Sequence, residues 1–304
     1  MLRTEDVEFY RTEGYLVVRD VLGSAELERL RGGLARFLSG AGEVDRNDDV
    51  YDLEDSHTRA SPRVRRIKAP HKLDPAFHDL IRSPRLLDLM RPLLGSSVRL
   101  QNSKLNLKSA GYGAAVEWHQ DWAYYPYSND DVLAVGVLLD DFAADNGAMM
   151  VVPRSHRGPI HDHHVNGVFC GGIDPTTPGI DFDSAVPLYA PAGSITLHHA
   201  RTIHGSALNR SGRSRNFLLY EAAAGDAWPL AGSSAAYVDF DEFNSRLLCG
   251  EPTIQPRMVA VPVRMPLPKP IDATSLYQAQ KSLAHRYFDV YDENNTPKVS
   301  ISSV

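Results

Sequence analysis

The sequence predicts a mainly β protein with flanking helices, in which a β-sandwich or barrel is buttressed by a helical N-terminal part. Three observations lead there. Segments before Gly95 repeat leucine at helical spacing, segments after it are short alternating or continuous apolar runs, and glycine- and proline-rich connections separate those runs. The 304 residues can bury a large core, and sandwiches or barrels of about 200–250 residues commonly stay one domain. A single domain is therefore expected, with a helical part over 1–95, a strand-rich core over about 96–224 and an extension over 225–304.

Ser24 is placed to cap a helix whose Leu27, Leu30, Leu34, Phe37 and Leu38 fall on one face before Gly40 ends it. Residues 41–62 are polar and irregular. Proline suits a helix's first turn and glycine its end, so a helical pair is expected over 75–81 and 84–94. Residues 98–108 alternate, 132–139 form a continuous apolar strand, and 148–152 follow an Asn146-Gly147 turn signal. Further strands fit 194–198, 202–206 and 215–221. The tail over 252–270 is proline-rich and should run extended on the surface, ahead of a last helix over 275–287.

A net charge of −6, from 32 basic and 38 acidic side chains, lacks the footprint that phosphate backbones select for. Arg63, Arg65, Arg66 and Lys68 do bunch, but Asp48, Asp49, Asp52, Glu54 and Asp55 precede them, as in a solvated loop. Cys170 and Cys249 are too few and too distant for a disulfide scaffold. The start, MLRTEDVEFYRTEG, has no signal-peptide apolar core, and no apolar run is long enough to span a bilayer. The expectation is a cytoplasmic protein with a small-molecule substrate and neither nucleic-acid nor membrane partners. Its oligomeric state is open, a homodimer included.

The stretch EWHQDWAYYP places His119 and Asp121 two residues apart amid aromatic side chains. On a strand, side chains at i and i+2 share a face, so an imidazole and a carboxylate would converge. Two ligands hold a metal poorly. Two histidines, one carboxylate and open positions make the facial triad of non-haem iron oxygenases, which requires a distant histidine on another strand. The run HHARTIHGSALNRSGRSR offers His198, His199 and His204. Of these, His204 precedes Gly205-Ser206 and lies eleven residues ahead of Arg215. A turn through 209–212 would return Arg215 on the neighbouring strand, where its guanidinium can fork onto a carboxylate beside the metal. Ser206, two residues after His204, faces the same way. Arg210 and Arg213 are rivals expected to lie in the turn and face water.

The order EWHQD, DNGAMMVVPRSH, IHGSALNRSGRSR resembles the phytanoyl-CoA dioxygenase superfamily, which includes ectoine hydroxylases and many natural-product oxygenases. The resemblance runs from the N-terminal helices to about Ala224, and it implies a double-stranded β-helix, or jelly roll, around Fe(II). It gives the metal to His119, Asp121 and His204. It matches Arg215 to the arginine that pairs with the distal carboxylate of 2-oxoglutarate, and Ser206 to the serine of the family's His-Gly-Ser. Asn106, within KLNLK, matches a cosubstrate asparagine, and Lys68 a cosubstrate-near lysine. The family's Pro-Gly-Ser-His is here Pro153-Arg154-Ser155-His156, a structural turn.

The implied reaction uses O2 to oxidise a C–H bond of a small organic substrate, a natural product or metabolite intermediate, while 2-oxoglutarate becomes succinate and CO2. Related iron halogenases carry a small residue at the motif's acid, so Asp121 implies oxidation without halogenation. The rival class is a non-oxidative cupin-type hydrolase or isomerase, which needs no anchoring arginine. His161, Asp162, His163 and His164 follow Gly158-Pro159 and are expected in a solvated loop, away from any metal. Asn102, Trp122, Tyr124 and His198 are the candidate substrate contacts, with core packing as the rival account of the two aromatics. Either His198 or His199 can face the cavity.

Overall fold

The computed structural model describes residues 1–231, 237–264, 275–291 and 297–298. The first hundred residues give α1 (Thr4–Glu13), β1 (Tyr15–Val18), α2 (Ser24–Gly40), β2 (Tyr51–Leu53) and β3 (Val64–Lys68). Three helices that begin on proline follow: α3 (Pro70–Leu73), α4 (Pro75–Ile81) and α5 (Pro84–Leu94). Asp74 and Ser83 cap α4 and α5 by accepting the amides of Ala76 and Leu86. The cap of α2 is Gly23 rather than Ser24; its amide donates to the Glu26 carboxylate at 3.1 Å.

The strand-rich part comprises β4 (Val98–Lys108), β5 (Val116–His119), β6 (Val132–Leu138), β7 (Met149–Val151), β8 (His164–Val165), β9 (Val168–Phe169), β10 (Val186–Pro187), β11 (Ile195–His199), β12 (His204–Ser206) and β13 (Arg215–Ala224). Beyond it lie α6 (Phe240–Ser245), β14 (Leu247–Cys249) and α7 (Leu276–Gln280). A major sheet runs β1-β11-β6-β13-β4-β3-β2, with β14 also on β4, and a minor sheet runs β10-β7-β12-β5. Both are antiparallel, and they form the jelly roll.

The largest core lies outside the roll. Leu27, Leu30 and Leu34 of α2, Phe77 and Ile81 of α4, and Leu86 and Met90 of α5 pack on the outer face of the major sheet, against residues such as Leu105, Val135 and Leu218. At about 25 cal/mol per Å² of apolar surface removed from water, that face dominates the packing energy. Because strand side chains alternate, burying Leu105 and Leu107 outward turns Lys104 and Asn106 inward. A smaller apolar cluster, including Met149, Val151, Phe217 and Leu219, joins the two sheets inside.

Several expectations change. Residues 41–62 are not wholly irregular, because β2 pairs with β3. The basic run over 63–68 is not a solvated loop. Arg65 is buried against Glu54 at 2.8 Å, and the partly buried Arg66 pairs with Asp52. Strand β1 was not anticipated. Residues 252–264 are irregular and mostly exposed, as the prolines suggest, while 265–270 lie outside the described residues. The last helix is shorter than expected, only α7.

Candidate metal and cosubstrate site

His119 ends β5 and His204 begins β12, and the two are direct partners in the antiparallel register. Residues opposed in this way share a face, so the imidazole centroids lie 4.1 Å apart. Asp121 is not on the strand, contrary to expectation; it opens a 3₁₀ turn over Asp121–Ala123. Gln120 between them keeps extended dihedrals (φ −117°, ψ 124°), which preserves the two-residue alternation and brings the carboxylate to the same side. Donor atoms of His119, Asp121 and His204 all fall within 4.8 Å of one another.

Each imidazole is held from behind. His119 Nδ1 donates to the Glu117 carbonyl at 2.8 Å, and His204 Nδ1 donates to the Thr202 carbonyl at 3.0 Å. That arrangement fixes the tautomer and leaves each Nε2 lone pair facing Asp121, at 3.8 and 3.9 Å from its carboxylate oxygens. Burial lowers the pKa of both rings, His204 well below the usual range with help from His119 and His198. Burial works against the charge on Asp121, but Lys104, His204, His198 and His119 together hold its carboxyl well below the ordinary range. Two neutral imidazoles and one carboxylate suit a divalent transition metal.

Arg215 faces this cluster from the opposite sheet, not from a neighbouring strand, since β13 pairs with β4 and β6 whereas β12 pairs with β5 and β7. It is 2% exposed, its Nε has no hydrogen-bond partner, and it makes no ion pair among the described residues. Its guanidinium lies 4.9 Å from the Phe142 ring centre, and burial pushes its pKa down to about 10. A buried guanidinium is costly unless an anion meets it, and its planar fork has the geometry that would suit a carboxylate. Ser206 and Asn106 line the same cavity, and Asn106 Oδ1 is buried without a partner. Lys68 is engaged elsewhere, by Asp52 at 3.1 Å and the Asp48 carbonyl at 2.6 Å. Arg66 lines the cavity instead. Arg210 and Arg213 are exposed, pairing with Asp289 and Asp145.

Of the four candidate substrate contacts, the structure puts one in the cavity. His198 lies 3.5 Å from the Asp121 carboxylate, and neither ring nitrogen makes a hydrogen bond. His199 points the other way, toward His156 and Asp130. Trp122 is core, its Nε1 donating to the Pro262 carbonyl at 2.8 Å. Tyr124 donates its hydroxyl to the Gly171 carbonyl and meets Phe169 edge-on. Asn102 shares an inward row with Glu221 and His198 but does not line the cavity.

His163, expected in a solvated loop, is 1% exposed. Its Nε2 accepts the Gln120 amide at 3.0 Å, so it braces the residue between two candidate ligands. A histidine after Gly-Pro gives no local sign of that distant contact. Sequence reasoning also missed Lys104, whose signal was the polar face of NSKLNLK, its partner Glu221 on β13, and the C-terminal cover. Tyr277 of α7 lines the cavity. Gln280 accepts the Glu117 amide at 3.0 Å and donates to the Glu117 carbonyl at 3.5 Å. The Glu117 carboxylate accepts the Tyr287 amide at 2.9 Å.

The sequence model of the phytanoyl-CoA dioxygenase (PhyH) family matches residues 10–217. This chain belongs to the phytanoyl-CoA dioxygenase family. A probable alpha-ketoglutarate-dependent hypophosphite dioxygenase of Stutzerimonas stutzeri is 36% identical over 92% of this chain and 97% of that protein. An L-proline trans-4-hydroxylase of Streptomyces griseoviridis is 28% identical over 69% of this chain and 82% of that one. Among solved structures, EctD from S. alaskensis with 2-oxoglutarate and 5-hydroxyectoine superposes with a TM-score of 0.60. It is 24% identical and covers 73% of this chain and 76% of its own. The carbocyclase SnoK from nogalamycin biosynthesis gives 0.62 at 22% identity, over 83% and 93%. These two bear on the fold alone, and the family's jelly roll is the fold seen here.

Proposed function

We propose that the chain is an iron(II)- and 2-oxoglutarate-dependent oxygenase that oxidises a small substrate. The observation that carries the reading is the pairing of a two-histidine, one-carboxylate cluster with a buried arginine that has no acid of its own. His119, Asp121 and His204 hold the iron. Arg215 receives the far carboxylate of 2-oxoglutarate, with Ser206 and Asn106 beside it. Iron, when bound, supplies the dioxygen activation that oxidises the substrate as 2-oxoglutarate becomes succinate and CO2.

The chain's own residues place and shield the reactants. The carbonyls of Glu117 and Thr202 keep both Nε2 atoms available, and Arg215 supplies a fixed fork for a carboxylate. Val116, Met149, Phe217 and Leu219 form the apolar part of the lining and exclude water. A hydrolase or isomerase on the same fold would have no use for Arg215, which favours the oxygenase.

The reading treats 1–304 as one catalytic unit, supported by the C-terminal bonds to Glu117. No helix among the described residues is long and apolar enough to cross a membrane. Unpaired Cys170 and Cys249 support a reducing, cytoplasmic setting. The relative from Stutzerimonas stutzeri makes hypophosphite the first substrate to test, ahead of small organic compounds. The test is succinate formation from 2-oxoglutarate with added Fe(II) and O2. No iron-dependent succinate with any substrate would overturn the reading.

A further inference from the structure

We infer that the Tyr277 hydroxyl joins Arg215 in holding the far carboxylate of 2-oxoglutarate, so that α7, outside the family-matched residues 10–217, belongs to the cosubstrate site. The inference rests on the oxygenase reading above. Tyr277 lines the metal cavity with Arg215, Ser206 and Asn106, and its other side borders an outer pocket shared with Arg65, Gln280 and Lys281. The side chain is thus the partition between the two spaces. It is 7% exposed, and its hydroxyl makes no hydrogen bond among the described residues. A buried phenol ordinarily finds a partner, and the cavity is where this one can take it.

The cavity has two ends. Lys104 opposes Leu219 and lies 3.9 Å from Asp121, which marks the metal end. Arg215 opposes Lys108, further along the same pair of strands, at the other end. Tyr277 stands at that end as well. Its ring centre lies 4.7 Å from the Arg65 guanidinium, and on β3 Lys68 opposes Lys104 and Arg66 opposes Asn106, so Arg65 continues toward Lys108. Arg65 is the extra residue of a bulge, since Asp52 opposes Arg66 while Leu53 opposes Val64, and such a residue is re-aimed out of the regular alternation. Glu54 then fixes the guanidinium at 2.8 Å, and with it the ring. Burial lowers the Arg215 pKa, and Tyr277 is the first group that works against the fall, ahead of Asp140. A carboxylate offers about four lone-pair sites, so a guanidinium fork leaves room for a hydroxyl. Other bonds already dock α7. Gln280 meets the Glu117 amide and the Gly171 carbonyl, each at 3.0 Å, and Lys281 pairs with Asp55 at 2.7 Å. A bond from the cosubstrate to Tyr277 adds to these, so cosubstrate binding and α7 docking strengthen each other by the same factor.

The experiment is anaerobic calorimetric titration of the Fe(II)-loaded protein with 2-oxoglutarate and with 2-oxopentanoate, the same carbon chain ending in methyl instead of the far carboxylate. Tyr277→Phe keeps the ring beside Arg65 and removes only the hydroxyl. It should weaken 2-oxoglutarate about tenfold, the usual weight of a charge-assisted hydrogen bond, and leave 2-oxopentanoate unchanged. In the unmodified protein 2-oxoglutarate should also slow hydrogen exchange at the Ala279 and Lys281 amides, which bond to the Ser275 and Gln278 carbonyls, by up to about tenfold. In Tyr277→Phe that protection should vanish. Full 2-oxoglutarate affinity in Tyr277→Phe overturns the proposal, and so does an equal loss for both ligands, which a purely structural role of the hydroxyl would give. Should 2-oxopentanoate bind too weakly to titrate, the exchange measurement decides in its place. No binding of 2-oxoglutarate to the unmodified iron-loaded protein sinks the oxygenase reading and this one with it, whereas binding indifferent to Tyr277→Phe sinks this one alone.

Discussion

On the minor sheet, His119 and His204 oppose each other on β5 and β12, and one turn adds Asp121, so three donors meet through adjacent backbone. On the major sheet, Arg66, Lys104, Glu221 and Arg215 come from three strands and meet only because that sheet turns its polar face inward. The first wall is assembled by local geometry and is held by two carbonyls at the same i to i−2 offset. The second exists because α2, α4 and α5 cover the other face with leucine and phenylalanine. A metal site can be built from one pair of neighbours, whereas a charged cavity wall needs the whole layer order of the fold.

The sharpest way to break this contrast is to remove a ligand from the minor wall. His119→Ala, Asp121→Ala or His204→Ala should each abolish turnover and iron binding, because two remaining donors leave the centre incomplete. Iron content by atomic absorption checks it, and near-normal stoichiometry in any one of them would refute the assignment. On the major wall, Arg215→Ala should raise the KM for 2-oxoglutarate roughly tenfold or more, about 1.5–3 kcal/mol, for loss of a charge-assisted contact. Arg213→Ala, on an exposed side chain, should leave it unchanged.

Gln280→Ala tests whether the minor wall is as local as it looks. Partners that orient a metal-bound histidine are commonly worth about 10–100-fold in metal affinity. Gln280 stands one bond further back, so a loss of only a few-fold, roughly, is expected in an iron titration. The smallest effect concerns acidity. Burial lowers the His163 pKa to about 3, against 6.5 in the unfolded chain. Below pH 6.5 the unfolded state therefore binds a proton that the folded state refuses, and stability falls as pH drops from 6.5 toward 3, by about 1.4 kcal/mol per unit. Thermal unfolding followed across that range should show a shallower decline in His163→Asn.

The motif was legible because its residues are close in sequence or carry a fixed offset: His119 with Asp121, and His204 with Ser206 on the minor wall and with Arg215 on the major one. The helices over 75–81 and 84–94 and the strand over 98–108 were legible for the same reason, through proline, glycine and alternation. Alternation in NSKLNLK gave two faces but not which one helices would cover, so Lys104 passed unnoticed. The acids over 48–55 disguised β3 as a loop, although Glu54 and Asp52 are the partners that let Arg65 be buried and Arg66 partly so. Trp122 and Tyr124 misled because adjacency to a ligand does not fix direction; one hydroxyl and one indole N–H turned to backbone carbonyls instead.

The Glu117 carbonyl receives both His119 and Gln280, and these two donors leave the ribosome far apart in time. At synthesis rates of about 5–20 residues per second, the 161 residue additions from His119 to Gln280 take roughly 8–32 s. His119, Asp121 and His204 are all translated within that interval, so the nascent chain presents a complete set of donors before their brace has been made. A metal captured then meets an imidazole held by the Glu117 carbonyl two residues back, with Glu117 not yet tied to Gln280. The outer support of His119 is therefore completed late, once α7 has closed over the strand that carries it.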